Sequence, residues 1–437
     1  KRANHHTMVQ EDINKVLLEE AEKGNKVVRL KGGDPFLFGR GGEELELLSE
    51  NGIPYEIVPG VTSPISVPAY NGIPVTHRDF CSSLHIITGH KRAGQEYDID
   101  FKALTRTKGT LVFLMGIAAL EDICKGLLAG GMDPNVPAAV LQKGTTAGQK
   151  RVVATVGTLK EEVDRQGIET PAIIVVGKVC SLADKFAWYE KLPLAGWKVL
   201  VTRPRQHISK TADLLRQKGA EVLELPSICT VPVEDNGRLY EAFEKLDTYQ
   251  WIIFTSPAGV EIFFDEMDRK EMDVRSLGQA KIAVIGEGTK KKLKEHHLLA
   301  DFVPGVYDGD TLGAELAKEL QGNEKILIPR AEAGNKKLTE LLEQTGAQVD
   351  DIATYTTRYE KSRLIDEKKE LETGSVDCVV FTSASTVKGL DYTKVKAACI
   401  GKQTKAAADA YGMQTRMAKK ATIESLIELV EEMKQEN

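Results

Sequence analysis

The chain has 437 residues, of which 42% are hydrophobic and 28% are charged, and its net charge is −6. This composition is typical of a globular protein that is large enough for several domains with their own cores. Acidic and basic residues are interspersed, which gives no basic surface of the kind that binds nucleic acid.

Membrane, metal and disulfide classes are also disfavoured. No apolar run approaches the length of a transmembrane helix, and no signal peptide is visible. The six cysteines are far apart and form no C-x-x-C motif, and the eight histidines form no H-x-x-x-H motif. We therefore expect a reduced cytoplasmic protein with no metal site and no membrane partner.

The first part of the chain alternates predicted helices and strands. An amphipathic helix is predicted over residues 8–24, and a strand at residues 27–30 precedes a glycine-rich loop. A second helix is predicted in "EELELLSENG" and a second strand in "YEIVPG". This alternation is typical of a parallel sheet.

A second block begins at about residue 84. Strands are predicted in "LHIITGH", "GTLVFLMG", "PAAVLQKG", "QKRVVATVGTL" and "PAIIVVGKV", with a helix in "IAALEDICKGLLAGG". These patterns predict one subdomain over residues 1–82, a second over residues 83–190 and a linker over residues 191–197.

A repeated unit follows the linker. "WIIFTSPAGV" precedes "KIAVIGEGTKKKL", and "CVVFTSASTV" precedes "KAACIGKQTKAAA". Each copy reads as strand, Thr-Ser, helix, strand, Ile-Gly-x-x-Thr and helix, which predicts two homologous α/β lobes. Ser383 and Gly401 lie closer together in the sequence than Ser256 and Gly286. Either the second lobe has lost most of a helix or residues are missing from the sequence, and we favour the second explanation.

The loop in "VVRLKGGDPFLFGRGGEE" has five glycines within eleven residues. It matches neither the P-loop pattern nor G-x-G-x-x-G, so a phosphate is not the expected ligand. "PGVTS" follows the next predicted strand. Because ligands of open α/β sheets lie at the carboxyl ends of strands, we expect these two loops to share one ligand.

Several motifs resemble those of uroporphyrinogen-III C-methyltransferase: "RLKGGDPFLFGRGGEE", "VPGVTS", "PVTHR", "ITGH" and "FLMG". The resemblance covers about residues 1–188 and implies two α/β subdomains with S-adenosylmethionine between them. It implies a proton donor at Lys1 and cofactor contacts at Gly32, Gly33, Asp34, Leu37, Thr62, Ser63, Met115 and Gly144.

Each of these residues also has a plain structural interpretation. Gly32 and Gly33 alone indicate a turn, Met115 alone indicates core packing, and Thr62 with Ser63 alone indicates a helix N-cap. The ordered set of motifs favours the cofactor site.

Two arginines, Arg40 and Arg78, have side chains that suit pairing with substrate carboxylates, and a solvated surface role is an equal alternative. The related methyltransferases begin with a strand and a glycine-rich loop before the lysine matched by Lys1. We therefore expect a chain that starts at Lys1 to lack methylation activity and to retain the activity of its other half.

The repeated part resembles uroporphyrinogen-III synthase through "VLVTRP", "IIFTSPAGV", "AVIGEGT", "ILIPRAEAGNKKL" and "YTTRYE". That resemblance runs from about residue 198 to the end of the chain. It implies two lobes joined by a two-stranded ladder, over residues 198–231 plus 358–437 and over residues 232–357. The implied substrate is hydroxymethylbilane, a linear tetrapyrrole with eight carboxylates that is closed with inversion of its last ring.

Site residues follow from this second resemblance. Tyr355 matches the family's tyrosine and is expected to donate a proton to the departing hydroxyl. The alternative is that it only packs. Neutral donors for the substrate are expected at Ser256, Thr289, Ser383 and Thr404, with helix capping as the alternative. Arg203 and Arg330 are expected to bind carboxylates, and a structural ion pair is an equal alternative.

Together the two resemblances predict a bifunctional enzyme of tetrapyrrole synthesis. The predicted fold class is α/β, with a two-subdomain methylase-like fold followed by two flavodoxin-like lobes with parallel sheets. S-adenosylmethionine is the expected cofactor of the first part, and none is expected for the second. The partners are small tetrapyrroles, and a homodimer through the first part is expected by analogy.

Two other functions stay open. Related methyltransferases modify other tetrapyrrole carbons, or RNA, although the low basic charge disfavours RNA. A non-catalytic protein that clamps a tetrapyrrole between two lobes is the alternative outside enzymes.

Overall fold

The computed structural model describes residues 8–89, 99–202, 208–225, 228–334, 336–359, 367–390 and 394–436. The chain divides into two compact units. The first comprises Lys1–Lys198 and Leu215–Glu221, and the second comprises Val199–Leu214 and Val222–Asn437. Within the described residues, none of the helices is long and apolar enough to cross a membrane.

The described part of the first unit has three helices followed by an α/β region. The helices are α1 (Gln10–Glu22), α2 (Gly41–Glu50) and α3 (Ser63–Tyr70). The α/β region contains β1 (Leu84–Thr88), α4 (Phe101–Thr107), β2 (Thr110–Leu114), α5 (Leu120–Ala129), β3 (Pro137–Gln142), β4 (Lys150–Thr155), α6 (Leu159–Arg165) and β5 (Ala172–Val176).

Its sheet has the order β1-β2-β5-β3-β4 and is mixed. Strands β1 and β2 are parallel, whereas β5 runs antiparallel to both β2 and β3. The carboxyl ends of β1, β2 and β3 therefore lie at one edge. Alternate residues of β2 pack into two different core layers, with Phe113 on the side of α5 and Leu114 on the side of α3.

Two strand predictions in this unit are wrong. Residues 27–30 and the "YEIVPG" stretch belong to no strand, although both lie in non-helical segments. Their β-branched residues indicated strands, but a strand also needs a neighbour that supplies its hydrogen bonds. No described strand pairs with them, and apolar side chains such as Val28 and Leu30 are largely exposed.

The second unit contains two sheets. Its described elements are β6 (Lys198–Thr202), α7 (Ile208–Gln217), β7 (Glu221–Leu225), β8 (Ile228–Pro232), α8 (Gly237–Phe243), β9 (Trp251–Phe254), α9 (Pro257–Arg269), β10 (Lys281–Val284), α10 (Glu287–Glu295), α11 (Gly309–Leu316), β11 (Lys325–Ala331), α12 (Lys337–Glu343), β12 (Gln348–Tyr359), α13 (Glu367–Glu372), β13 (Cys378–Phe381), α14 (Ala384–Lys388), β14 (Lys396–Cys399), α15 (Lys402–Ala410), β15 (Gln414–Met417) and α16 (Ile423–Gln435).

The sheet orders place these elements in two lobes. Lobe 1 has the order β15-β14-β13-β6-β7, and lobe 2 has the order β10-β9-β11-β12-β8. In lobe 2, strands β9 to β12 are parallel, and β8 pairs antiparallel with the end of β12, from Tyr355 opposite Pro232 to Tyr359 opposite Ile228. The domain boundaries given above stay predictions.

The repeated unit recurs in three dimensions. Ser256 and Ser383 are the N-cap residues of α9 and α14 with nearly the same backbone angles, and Gly286 and Gly401 are the N-caps of α10 and α15. The second copy is shorter because α14 has 5 residues and α9 has 13.

Candidate functional sites

Asp34 joins the two glycine-containing loops of the first unit. Its Oδ1 accepts hydrogen bonds from the backbone N–H groups of Phe36 (2.9 Å) and Leu37 (3.2 Å), and its Oδ2 accepts one from Gly60 (3.1 Å). The bond from Gly60, followed by that from Phe36, lowers the pKa of Asp34. The carboxylate thus stays ionised and holds both loops through their backbone N–H groups.

The backbones of these two loops approach closely. Gly33 has φ +109°, and a Cβ at Gly60 would lie 2.9 Å from the Gly33 carbonyl oxygen. A Cβ at Gly33 would lie 3.5 Å from Thr62 Oγ1, whereas a Cβ at Gly32 would meet nothing within 4 Å. The structure therefore brings the two loops together as predicted and leaves open space beside Gly32.

Thr62 and Ser63 lie at the start of α3. Thr62 is the N-cap residue, yet its side chain makes no capping hydrogen bond, and Ser63 is exposed. The capping interpretation of the Thr62 hydroxyl is therefore not realised in this structure. Leu37 is half-buried beside the Asp34 turn.

Met115 and Gly144 lie at the same edge of the first sheet, because each follows a strand that points the same way. Met115 has φ 55° and is 59% exposed, so it is not a core residue. A Cβ at Gly144 would lie 2.4 Å from Val67 Cγ1, which shows that α3 packs directly on this edge.

Glu44 forms a charged cluster that the sequence reasoning missed. This buried carboxylate accepts hydrogen bonds from Lys31 Nζ (2.8 Å), Gln10 Nε2 (3.0 Å) and Arg29 Nε (3.2 Å). Burial alone would raise its pKa, but the bonds from Lys31 and Gln10 and the nearby cations lower it overall. Lys31, at the start of the glycine loop, is thereby tied to the first turn of α2.

The two arginines of the first unit are placed differently. Arg40 is paired with Glu43, through Nε to Oε1 at 2.9 Å and Nη2 to Oε2 at 2.5 Å, on the exposed start of α2. Arg78 is exposed in the turn closed by the bridge between His77 and Cys81. Arg40 therefore has a structural partner already, as in the surface alternative. Lys1 and Arg203 lie outside the described residues.

Tyr355 and Ser256 meet at the end of the lobe 2 sheet. The phenol oxygen of Tyr355 lies 2.6 Å from Ser256 Oγ, and Ser256 Oγ also accepts a hydrogen bond from the Gly259 N–H at 2.9 Å. Ser256 therefore caps α9 as the structural alternative proposed, and it contacts the predicted proton donor as well. A Cβ at Gly259 would lie 3.2 Å from the Pro329 carbonyl oxygen, so this corner is tightly packed.

Tyr355 is only 6% exposed, so its phenol is largely shielded from solvent. Burial raises its pKa above the usual value, and the hydrogen bond with Ser256 lowers it in part. The phenol is therefore protonated at neutral pH.

Thr289 and Thr404, two of the predicted neutral donors, are both buried. They are 2% and 4% exposed, at the third residue of α10 and of α15. The Gly-x-x-Thr spacing places both side chains on the inner face of the first helical turn, which explains their burial. Ser383 is half-buried, makes no side-chain capping bond and has its Oγ 3.0 Å from Ser385 Oγ.

Arg330 is buried and forms an ion pair with the part-buried Asp351. Its Nε donates to Asp351 Oδ1 at 2.6 Å, its Nη2 contacts Asp351 Oδ2, and Thr339 Oγ1 donates to the same Oδ2 at 2.7 Å. Arg330 therefore forms the structural ion pair that was the alternative to binding a substrate carboxylate. Among the described residues, no group of three or more His, Cys, Asp and Glu side chains could hold a metal ion.

These mainly parallel sheets with flanking helices define an α/β protein. Ligands of that class commonly bind at the carboxyl ends of strands. Comparison with known proteins specifies the class. Residues 1–160 match the model of the Tetrapyrrole (Corrin/Porphyrin) Methylases, and residues 209–428 match that of Uroporphyrinogen-III synthase HemD.

Individual relatives agree with both matches. The "Porphyrin biosynthesis protein HemD" of Ruminiclostridium josui is 46% identical over 98% of this chain and 86% of that protein. Two proteins of Bacillus subtilis named "Uroporphyrinogen-III C-methyltransferase" are 40% and 50% identical, over 68% and 44% of this chain and 61% and 74% of those proteins.

A crystal structure of uroporphyrin-III C-methyl transferase from Thermus thermophilus with S-adenyl homocysteine is 37% identical over 39% of this chain and 74% of that chain, with a TM-score of 0.35. From the sequence matches, the chain belongs to the tetrapyrrole methylases in its first part and to the uroporphyrinogen-III synthases in its second.

Proposed function

We propose that the chain is a bifunctional enzyme that closes hydroxymethylbilane to uroporphyrinogen III and then methylates that product with S-adenosylmethionine to precorrin-2. The observation that carries the proposal is the presence of both families in one chain. Uroporphyrinogen III is named as the product of the synthase family and as the substrate of the C-methyltransferase relatives. The Ruminiclostridium josui protein, matched along nearly the whole chain, supports the same arrangement.

For ring closure, we assign the proton donor to Tyr355 with Ser256 as its hydrogen-bonding partner. Departure of the substrate hydroxyl as water requires one proton, and a buried phenol beside a hydroxyl holds that proton at neutral pH. Ser256 Oγ accepts from the Gly259 N–H and lies within hydrogen-bond distance of the phenol oxygen, so it holds the Tyr355 side chain in place. The new carbon–carbon bond releases one proton from the substrate, which balances the proton that restores the phenol through solvent.

For methyl transfer, the residues of the first unit fit S-adenosylmethionine. Gly32 leaves open space beside two loops whose backbones meet, and exposed Ser63 and Met115 have side chains available to a ligand. S-adenosylmethionine supplies an electrophilic methyl group when bound. The protein's part is to align the substrate and exclude water, which suits a backbone cradle fixed by Asp34.

We also propose a proton-donor role for Lys1 and carboxylate binding by Arg78 and Arg203. The same proposal includes no cofactor in the synthase part, a homodimer through the methyltransferase part and a cytoplasmic location. Light scattering on the purified protein measures the oligomeric state, and fractionation of the source cells measures the location.

Isomer-resolved product analysis tests the proposed function. With hydroxymethylbilane alone, the natural full-length protein should produce the type III isomer, and added S-adenosylmethionine should convert it to a dimethylated product. A protein that only binds tetrapyrroles would leave the type I isomer of spontaneous closure. A methylated product made from another tetrapyrrole, but not from uroporphyrinogen III, would contradict the substrate assignment.

A further inference from the structure

Tyr307 packs beside the turn that follows strand β10 in lobe 2. A Cβ at Gly286 would lie 2.8 Å from Tyr307 Cγ, so the side chain of Tyr307 packs directly on the backbone of this turn. Gly286 is the N-cap of α10. Despite that contact, Tyr307 is 43% exposed.

The loop that carries Tyr307 is fixed on both sides. The Gly305 N–H donates to Glu315 Oε2 at 3.0 Å, and Asp308 Oδ1 accepts from the Thr311 N–H at 2.7 Å as the N-cap of α11. The Asp308 N–H also donates to the Val306 carbonyl oxygen at 2.9 Å. An exposed aromatic side chain is thus held on a loop that is bonded into the lobe, which lowers the entropy lost on binding a ligand.

Tyr307 shares its sheet edge with the Tyr355–Ser256 pair. Strands β9 and β10 are parallel neighbours, with Val284 opposite Phe254, so both end at this edge. A Cβ at Gly288 would lie 3.8 Å from Pro257 Cγ, which places the first turns of α9 and α10 side by side. The edge therefore has a buried phenol at one end and an exposed aromatic ring at the other.

We propose that Tyr307 is a substrate-binding residue, whose exposed ring stacks on one pyrrole ring of the linear tetrapyrrole. The inference rests on the proposed ring-closure function. Tyr355 is buried and already bonded to Ser256, so it offers little surface that could hold a flexible chain of four aromatic rings. Tyr307 offers that surface, and paired aromatic rings attract each other beyond their buried area.

Steady-state kinetics of ring closure in three variants test this role. Tyr307→Ala should raise KM about three- to tenfold, the range expected for loss of one aromatic pair, with a smaller change in kcat. Tyr307→Phe keeps the ring and should stay within about twofold of the natural protein. The matched control is Tyr411→Ala, because Tyr411 is also 43% exposed but follows α15 in lobe 1, at the other end of that helix from Gly401.

Two results would overturn the assignment. An unchanged KM in Tyr307→Ala would mean that the ring only packs on Gly286. An equal rise of KM in Tyr307→Phe would assign the effect to the hydroxyl and not to the ring. Tyr307→Ala could also lower the unfolding temperature relative to Tyr411→Ala. In that case Tyr307→Leu, which retains apolar packing on Gly286, replaces it, and its KM is compared with those of the natural protein and of Tyr307→Phe in the same way.

The assay separates this inference from the proposed function. Absence of the type III isomer with the natural protein would refute the function itself. Normal type III formation by the natural protein together with an unchanged KM in Tyr307→Ala, or in Tyr307→Leu, would refute only the role of Tyr307.

Discussion

The glycine loops of the first unit and the lobe 2 sheet edge of the second unit differ in the groups that they present: mainly backbone at the first and hydroxyl side chains at the second. At the glycine loops the Asp34 carboxylate accepts hydrogen bonds from backbone N–H groups, and open space remains beside Gly32. At the lobe 2 edge a phenol and a hydroxyl are bonded to each other in a tightly packed corner. Under the proposed function, methyl transfer would rely on close approach to the backbone, whereas ring closure would rely on a side-chain proton.

The largest expected effect is loss of cofactor binding in Gly33→Val. Gly33 has φ +109°, a conformation that a β-branched residue rarely adopts, and a side chain there would point at Thr62. Calorimetry should show that affinity for S-adenosylmethionine falls below detection while ring closure persists. Gly24→Val is the control, because Gly24 also has positive φ but has open space around it at the end of α1. Unchanged affinity in Gly33→Val would remove the glycine loops from the cofactor site.

Breaking the Arg330–Asp351 pair should cost the second unit stability. Arg330→Met leaves the Asp351 carboxylate without its cation. Since that carboxylate is 25% exposed and keeps the hydrogen bond from Thr339, we expect a loss of about 1–3 kcal/mol. Urea unfolding measures the change. The control is Arg275→Met, since Arg275 forms an exposed pair with Asp273 in the same lobe and its loss should not be measurable. Unchanged stability in Arg330→Met with a raised KM would instead favour substrate binding by Arg330.

Tyr355→Phe should reduce turnover about a hundredfold, the usual effect of losing one general acid. The fraction of type I isomer should rise, because hydroxymethylbilane also closes unaided. Tyr249→Phe is the matched control: Tyr249 is another buried phenol of lobe 2, hydrogen-bonded to Asp350, but it precedes β9 at the opposite edge of the sheet. Product analysis of both variants checks this. Normal turnover in Tyr355→Phe would reduce this tyrosine to a packing residue.

The smallest expected effect is the loss of stability when the N-cap serine of the repeat is replaced, and it should differ between the two lobes. Ser256→Ala removes the hydroxyl that caps α9 and should destabilise the protein by about 1 kcal/mol, with a moderate loss of turnover. Ser383 holds the same position in lobe 1 without a side-chain capping bond, so Ser383→Ala should change stability by less. Thermal unfolding of both variants measures the difference. Equal losses would mean that the two copies of the repeat are equivalent after all.

The sequence predicts the repeat and the position of its turns correctly, because strand, Thr-Ser and Gly-x-x-Thr motifs are local. Sequence-based prediction fails where the structure of a segment depends on residues that are distant in the sequence. Residues 27–30 look like a strand, but no described strand pairs with them. The contact between Ser256 and Tyr355 joins residues that are 99 positions apart.

Burial and ion pairing explain the remaining differences. Thr289 and Thr404 carry the right chemistry for donors, yet only the packing of a helix shows that they face inward. Glu44 was missed because the sequence shows only an acidic residue in the first turn of α2, whereas its burial and its bond to Lys31 depend on packing. The roles given to the cofactor and substrate residues stay predictions.

One measurement tests the central claim that the two chemistries reside in separate sites of one chain. The natural full-length protein carrying Gly33→Val is supplied with hydroxymethylbilane and S-adenosylmethionine, and the products are resolved by isomer and by methylation. We predict that unmethylated uroporphyrinogen III accumulates at the normal rate, because the ring-closure site is intact and the cofactor cradle is blocked. A methylated product at the normal rate, or a type I product alone, would contradict the account.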